Sequence, residues 1–320
     1  MKDRFGREFT YLRLSVTDRC NLFCLYCKVP ELPRPEKLTL PEIARIVHSA
    51  AGLGVRKVRL TGGEPTLRAD IIDITKTVSS MPGIREVVMT TNGVTFEKLA
   101  KPLADAGLSR ANISCDTLDA ESFRKITKGG ILQKVLDGME AAKDAGLFVK
   151  INCVVMGGVN DHEVLPLVRY AIGHGFDIRF IEYMPMSLGE GEGMFGSPET
   201  VSSSILREFV AKEYQLAAES GSATDGPADM YQIAGTNTKV GFISAMSNPF
   251  CENCNRLRVT PEGKIRSCLL TGGDLDLVSA IRDGATDADL AAIFQRALEI
   301  KPPVYELHKN GPIDMRSIGG

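Results

Sequence analysis

Six short apolar runs, each followed by residues at helical spacing, narrow the possible folds of this chain to a few. The runs are Phe9–Val16, Val55–Leu60, Ile84–Thr90, Ala111–Cys115, Phe148–Val155 and Phe176–Glu182. After the first, Thr39-Leu40-Pro41-Glu42 reads as a capping box, and Ile43, Ile46, Val47 and Ala50 follow on one helical face. Asp70–Met81, Thr95–Ala106, Ile131–Ala145 and Asp161–Ile172 repeat the pattern, with Pro82-Gly83, Gly107 and Gly146 as stops. Strands alternating with helices of this length give right-handed βα units and a parallel sheet. A closed barrel of this kind needs eight strands. With six, the periodicity leaves an open partial barrel and a doubly wound sheet as candidates.

Beyond the sixth run the pattern changes. Met184–Gly196 is a loop rich in Met and Gly, and Thr200–Tyr214 reads as a helix. Glu219–Pro227 has the least structured composition in the chain, which sets the expected boundary between a region 1–225 and a region 226–320. Pro30–Pro35 reads as an extended connector. A net charge of −2 provides no general attraction for nucleic acid or an anionic membrane, so an anionic ligand must be met by local Arg and Lys clusters. The first eight residues are charged and lack an apolar centre, and no run reaches membrane-spanning length; the expectation is a cytoplasmic protein.

Six of the eight cysteines fall in two triplets. Cys20, Cys24 and Cys27 follow the first strand directly, and the nearest histidine, His48, lies well downstream. Structural zinc requires four protein ligands, whereas an iron–sulfur cubane held by three thiolates keeps one iron open. A zinc knuckle or a redox dithiol is the alternative for a CxxC pair. Cys251, Cys254 and Cys268 form the second triplet, and Pro261-Glu262-Gly263 reads as a hairpin turn that returns the third thiol to the first two. Zinc completed by His308 or an Asp is the alternative there. Cys115 and Cys153 sit in apolar runs and read as core residues.

The spacing CxxxCxxC, with Tyr26 just before its last cysteine, resembles the radical S-adenosylmethionine (SAM) family. Gly62-Gly63-Glu64-Pro65 after the second strand and the CxxCxRLR run at 251–258 narrow the likeness to the branch that cyclises GTP in the first step of molybdenum cofactor biosynthesis. The resemblance spans nearly the whole chain and implies an incomplete (β/α)6 barrel whose open side is covered by the C-terminal region. It also implies two [4Fe–4S] clusters, with SAM on the open iron of the first and the guanine of GTP on that of the second. Reductive cleavage of SAM would yield a 5′-deoxyadenosyl radical that takes the ribose 3′ hydrogen, and attack on C8 would give 3′,8-cyclo-7,8-dihydro-GTP.

By the same likeness SAM would be held by Tyr26, Gly63, Ser114 and Met184. GTP would be met by Arg13, Lys57, Arg59, Thr90, Lys150, Arg179, Arg256 and Arg258. The residues alone give part of this: Arg13 and Arg59 stand among apolar neighbours, where an unpaired charge is costly unless it faces a cavity or an anion, and guanidinium groups suit phosphate. Surface snorkelling or internal ion pairs is the dull alternative for any one of these cations, and helix capping is the alternative for the short hydroxyls at strand ends. Arg256 and Arg258 alternate on one face of a strand. The terminal Gly319-Gly320 reads as a frayed end, but the resemblance gives it a catalytic role alongside Arg256 and Arg258. The family further implies a flavodoxin- or ferredoxin-type electron donor, a homodimer, and delivery of the product to cyclic pyranopterin monophosphate synthase. Lys28-Val29-Pro30 departs from the Met-Pro common after the third cysteine, without removing a ligand.

Overall fold

The computed structural model describes residues 1–27, 37–185, 199–219 and 226–304. The expected Pro-rich connector, the loop after Met184 from residue 186 on, most of the expected boundary segment, His308 and the Gly319-Gly320 end lie outside the described residues.

The sequence pattern folds as six βα repeats: β1 (Tyr11–Ser15), α1 (Leu40–Gly52), β2 (Lys57–Thr61), α2 (Ile71–Ser79), β3 (Glu86–Thr91), α3 (Phe96–Asp105), β4 (Arg110–Ser114), α4 (Ala120–Thr127), α5 (Leu132–Asp144), β5 (Phe148–Gly157), α6 (Val164–His174) and β6 (Asp177–Glu182). The capping box at Thr39 forms as expected, with Glu42 returning a bond to the Thr39 N–H at 2.7 Å. Helix α4 was not expected; Asp119 caps its first turn through the Ser122 N–H, and Lys128 ends it in the left-handed conformation. It supports the cysteine loop, because its last turn offers the carbonyls of Thr127 and Ile126 to the N–H groups of Phe23 and Leu25.

Strands β1 to β6 pair in sequence order and all in parallel. A doubly wound sheet reverses its order at a switch point. This one does not, so the open barrel is the architecture. Helices pack in succession, α1 on α2, α2 on α3, α3 on α5 and α6 on α7 (Ser203–Ala211). The expected helix from Thr200 is shorter at both ends, because Glu199–Thr200 forms a two-residue strand, β7, against Met156–Gly157 at the end of β5.

Strands β1 and β6 do not meet. The chain's last third pairs with both: β8 (Leu216–Ala218), β9 (Asp229–Ile233) and β10 (Lys239–Ile243) extend the sheet beside β6, while β11 (Arg256–Val259), β12 (Lys264–Cys268) and β13 (Gly272–Asp276) extend it beside β1. Strand β10 runs parallel to β6, and β11 runs parallel to β1. The turn at Pro261–Gly263 makes the expected hairpin between β11 and β12. Helices α8 (Val278–Arg282) and α9 (Asp287–Glu299) follow, and α9 packs on α1. The main core lies between sheet and helices, from Leu12 and Leu14 through Ile113, Ile151 and Phe180 to Phe294, with a small second cluster of Ile126, Met156 and Val159.

Candidate active site

Inward-facing residues of a strand recur every second position, and here they are cationic. Arg13 of β1 lies in register with Arg59 of β2 on one side and Arg258 of β11 on the other. Arg59 donates to the Thr90 hydroxyl at 3.0 Å. Arg179 of β6 donates to the amide oxygens of Asn112 at 2.9 Å and Asn152 at 2.8 Å. Arg13, Arg59, Thr90, Asn152, Arg179 and Arg258, with Tyr11, Met184, Arg256, Phe250, Lys301 and the second cysteine triplet, line one cavity, and Asn112 supports Arg179 from outside that lining. Its empty space, open mouth included, is about 1160 Å³.

The electrostatics of the cavity suit an anion. Burial and the neighbouring Arg258 and Arg59 hold the Arg13 guanidinium well below its ordinary pKa. Burial and Arg59 bring Arg179 down to about 9, and burial and Arg256 bring Arg258 to about 10. Burial alone would raise the Tyr11 phenol, yet Arg59, Arg13, Lys57 and Arg179 together pull it below its usual value. The Tyr11 hydroxyl and the Arg59 Nε are buried without a hydrogen-bond partner among the described residues. A bound polyanion would satisfy both charge and donors.

Lys57 and Lys150 do not line this cavity. They stand two residues before Arg59 and Asn152, on the same inward faces, and each is ion-paired: Lys57 with Glu86 at 2.7 Å, Lys150 with Asp177 at 3.0 Å. Glu86 also takes Arg110 at 2.5 Å. Burial brings Lys150 down to about 8, against the pull of Asp177.

At the C-terminal rim of the barrel the first triplet sits on the loop after β1. Burial, Asp116 and the other two thiols push the Cys24 thiol far up. The strap after β2 packs against this loop. Gly63 N–H donates to Thr17 O and Glu64 N–H to Arg19 O, both at 2.7 Å. A Cβ on Gly62 would stand 2.3 Å from Thr17 O, and one on Gly63 2.4 Å from Arg19 O, so only glycine permits the contact. Buried Glu64 holds the strap to the end of β3, accepting from the Thr91 hydroxyl at 2.7 Å and the Asn92 N–H at 2.6 Å. Asn92 in turn reaches Asn21 at 2.7 Å and Cys20 Sγ at 3.8 Å. Tyr26 donates to Asp116, just beyond β4, at 2.8 Å, and burial brings that carboxyl up to about 6. Ser114 ends β4, half-buried, beside this group, and Met184 follows β6 at the cavity wall.

The second triplet lines the cavity itself. Cys251 and Cys254 lie on a single turn, and Cys268 ends β12. Burial would raise the Cys254 thiol, but Arg256 and Lys301 overcome it and lower it to about 6. A thiolate is the ligand form of cysteine, and all three thiols of this triplet line the cavity. Among the described residues no three thiol, imidazole or carboxylate groups converge as ligands of a single ion; two sets of three sulfurs fit iron–sulfur clusters, each with one iron left for another ligand.

Sequence reasoning did not find Tyr11, Asn112, Asn152, Asp116, Asn92 or Lys301. Asn152 and Asn112 carried a signal, since amides inside apolar strands need partners. Lys301 carried none.

The fold and its cysteine loop define a radical SAM enzyme. Residues 14–171 match the Radical SAM superfamily, and residues 176–307 match Molybdenum Cofactor Synthesis C. The crystal structure of Streptococcus suis SuiB bound to S-adenosylmethionine superposes with a TM-score of 0.64, at 16% identity, over 91% of this chain and 68% of that one, a likeness of fold alone. GTP 3′,8-cyclase of Moorella thermoacetica is 41% identical, and that of Heliobacterium modesticaldum 44% identical, each over the whole of both chains. The chain belongs to the GTP 3′,8-cyclase family, whose cofactors are SAM and two [4Fe–4S] clusters.

Proposed function

We propose that this chain converts GTP to 3′,8-cyclo-7,8-dihydro-GTP, the opening step of molybdenum cofactor biosynthesis. The observation that carries this reading is one cationic cavity lined both by the second triplet and by Thr90, two residues from the Asn92 amide that touches Cys20. Cys20, Cys24 and Cys27 would hold one cluster; Cys251, Cys254 and Cys268 the other. When bound, the first cluster with SAM supplies the one-electron chemistry that removes the ribose 3′ hydrogen.

The chain's own residues bind, orient and shield. Tyr26, Gly63, Ser114 and Met184 hold SAM at the rim. Arg13, Arg59 and Arg179 neutralise the triphosphate, with Lys57 and Lys150 beneath them; Thr90 positions the ribose, and Arg256 and Arg258 orient the base and its reacting carbon. Holding the ribose 3′ carbon and the guanine C8 in one fixed orientation would be positioning catalysis, which needs no side chain as acid or base. Gly319 and Gly320 complete the site as catalytic contacts. A flavodoxin or ferredoxin supplies electrons, cyclic pyranopterin monophosphate synthase takes the product, and the enzyme works in the cytoplasm as a homodimer. No helix among the described residues is long and apolar enough to cross a membrane.

The test is anaerobic incubation of reconstituted protein with SAM, dithionite and each nucleoside triphosphate in turn. GTP alone should drive 5′-deoxyadenosine release together with a cyclised product; equal release with every triphosphate would end the assignment.

A further inference from the structure

Two buried cations outside the barrel strands converge behind the second triplet. Lys301, 3% exposed, lines the cavity and donates from Nζ to the carbonyls of Ser267 and, at 3.4 Å, Arg256. Ser267 immediately precedes Cys268, and Arg256 follows Cys254 by two. Its ammonium lies 5.3 Å from the Phe9 ring centre. Arg7, itself buried, donates to Cys251 O at 2.9 Å and to the carbonyls of Pro302 at 2.9 Å and Pro303 at 3.1 Å, while Asp3 fixes its other edge at 2.7 Å. Each stretch carrying a second-triplet cysteine is thus gripped through its backbone by one of two cations, and the residues that supply and receive the grip are consecutive, 301–303.

We infer that Lys301 and Arg7 are positioning residues for the second iron–sulfur centre: they fix its three sulfurs and, through the Lys301 ammonium, raise that centre's reduction potential selectively. Cluster potentials respond to nearby charge, hydrogen bonding and burial, and groups outside the ligands set them. A cation buried beside three thiolates favours the added electron. The carbonyl bonds leave Lys301 no freedom to swing away, so its charge acts from a fixed point. Arg7 carries the mechanical part, since it joins the cysteine turn to the 302–303 segment and to the N-terminal strand region at once.

This inference rests on the second triplet holding a cluster, and the two are separable. Iron and sulfide analysis of the wild-type chain tests that premise: about eight irons per chain are expected from two cubanes, and about four would remove it. The inference itself is tested by redox titration of the full-length, two-cluster enzyme followed by EPR, with the second centre recognised as the one whose signal GTP changes. Lys301→Met should shift only that centre to a more negative potential, by at least a tenfold change in its reduction equilibrium, about 59 mV for one electron; Lys301→Arg should restore it. Iron lost from the second centre alone, with the first intact, also supports the inference. An unchanged potential, or an equal shift in both centres, overturns it. If Lys301→Met does not fold, Lys301→Gln and Arg7→Gln decide the matter, and second-centre potentials and iron content identical to wild type in both count against it.

Discussion

Arg13 illustrates how this site works. Flanked in register by Arg59 and Arg258, it is a half-buried cation whose strand neighbours on both sides are also cations. Such crowding costs folding energy, and an anionic ligand relieves it. Lys150 makes the point measurable. Its folded-state value of about 8 lies below the ordinary 10.5, so between those values the unfolded chain binds more protons and this group's contribution to stability grows as pH rises. The rise in unfolding free energy between about pH 8 and pH 10 should therefore be smaller in Lys150→Met than in the wild type; urea denaturation at both pH values decides it. At the second triplet, Cys268→Ser should abolish cyclisation while the first cluster's absorbance and basal SAM cleavage persist. Loss of both activities would show that the two centres are not independent.

Among the elements, the strap after β2 has the least tolerance. Gly62 and Gly63 are the positions where any side chain meets the backbone of the cysteine loop. Gly63→Ala should lose iron from the first centre only, leaving about four irons per chain and an unchanged GTP-sensitive signal; a full iron complement would show that the loop adjusts. The elements also show what the sequence could reveal. Periodicity, caps and glycine stops gave the six strands and five of the six helices up to β6, because those signals are local. Helix α4 escaped because Ala120–Thr127 is short and charged and buries only Phe123, Ile126 and Thr127, although Asp119 and the Lys128-Gly129 end were visible as a cap and a stop. The cysteines and strand arginines were legible through residue type and spacing. Their helpers were not: Lys301 meets Ser267 and Arg256 only through tertiary packing.

The molecule as a whole is a single ribbon of strands whose two flanks both come from the last third of the chain. Pairing of β10 with β6 and of β11 with β1 is non-local, and no pattern within the strands announces it. It also accounts for the cavity, since β11 brings Arg256 and Arg258 beside Arg13 in place of the missing barrel strands. A triple Cys251→Ser, Cys254→Ser, Cys268→Ser chain should keep its secondary structure by circular dichroism and half its iron, because the sheet pairing does not depend on those sulfurs; global unfolding would show that the metal centre holds the flank in place.

The late arrival of both flanks has a consequence for biosynthesis. As the chain leaves the ribosome, β1 and β6 present bare edges until residues 239–259 have emerged, and bare edges recruit other chains. Synthesis stopped after residue 219 should yield aggregate rather than a small working barrel, and metal loading of the nascent protein has to wait for the final stretch to dock.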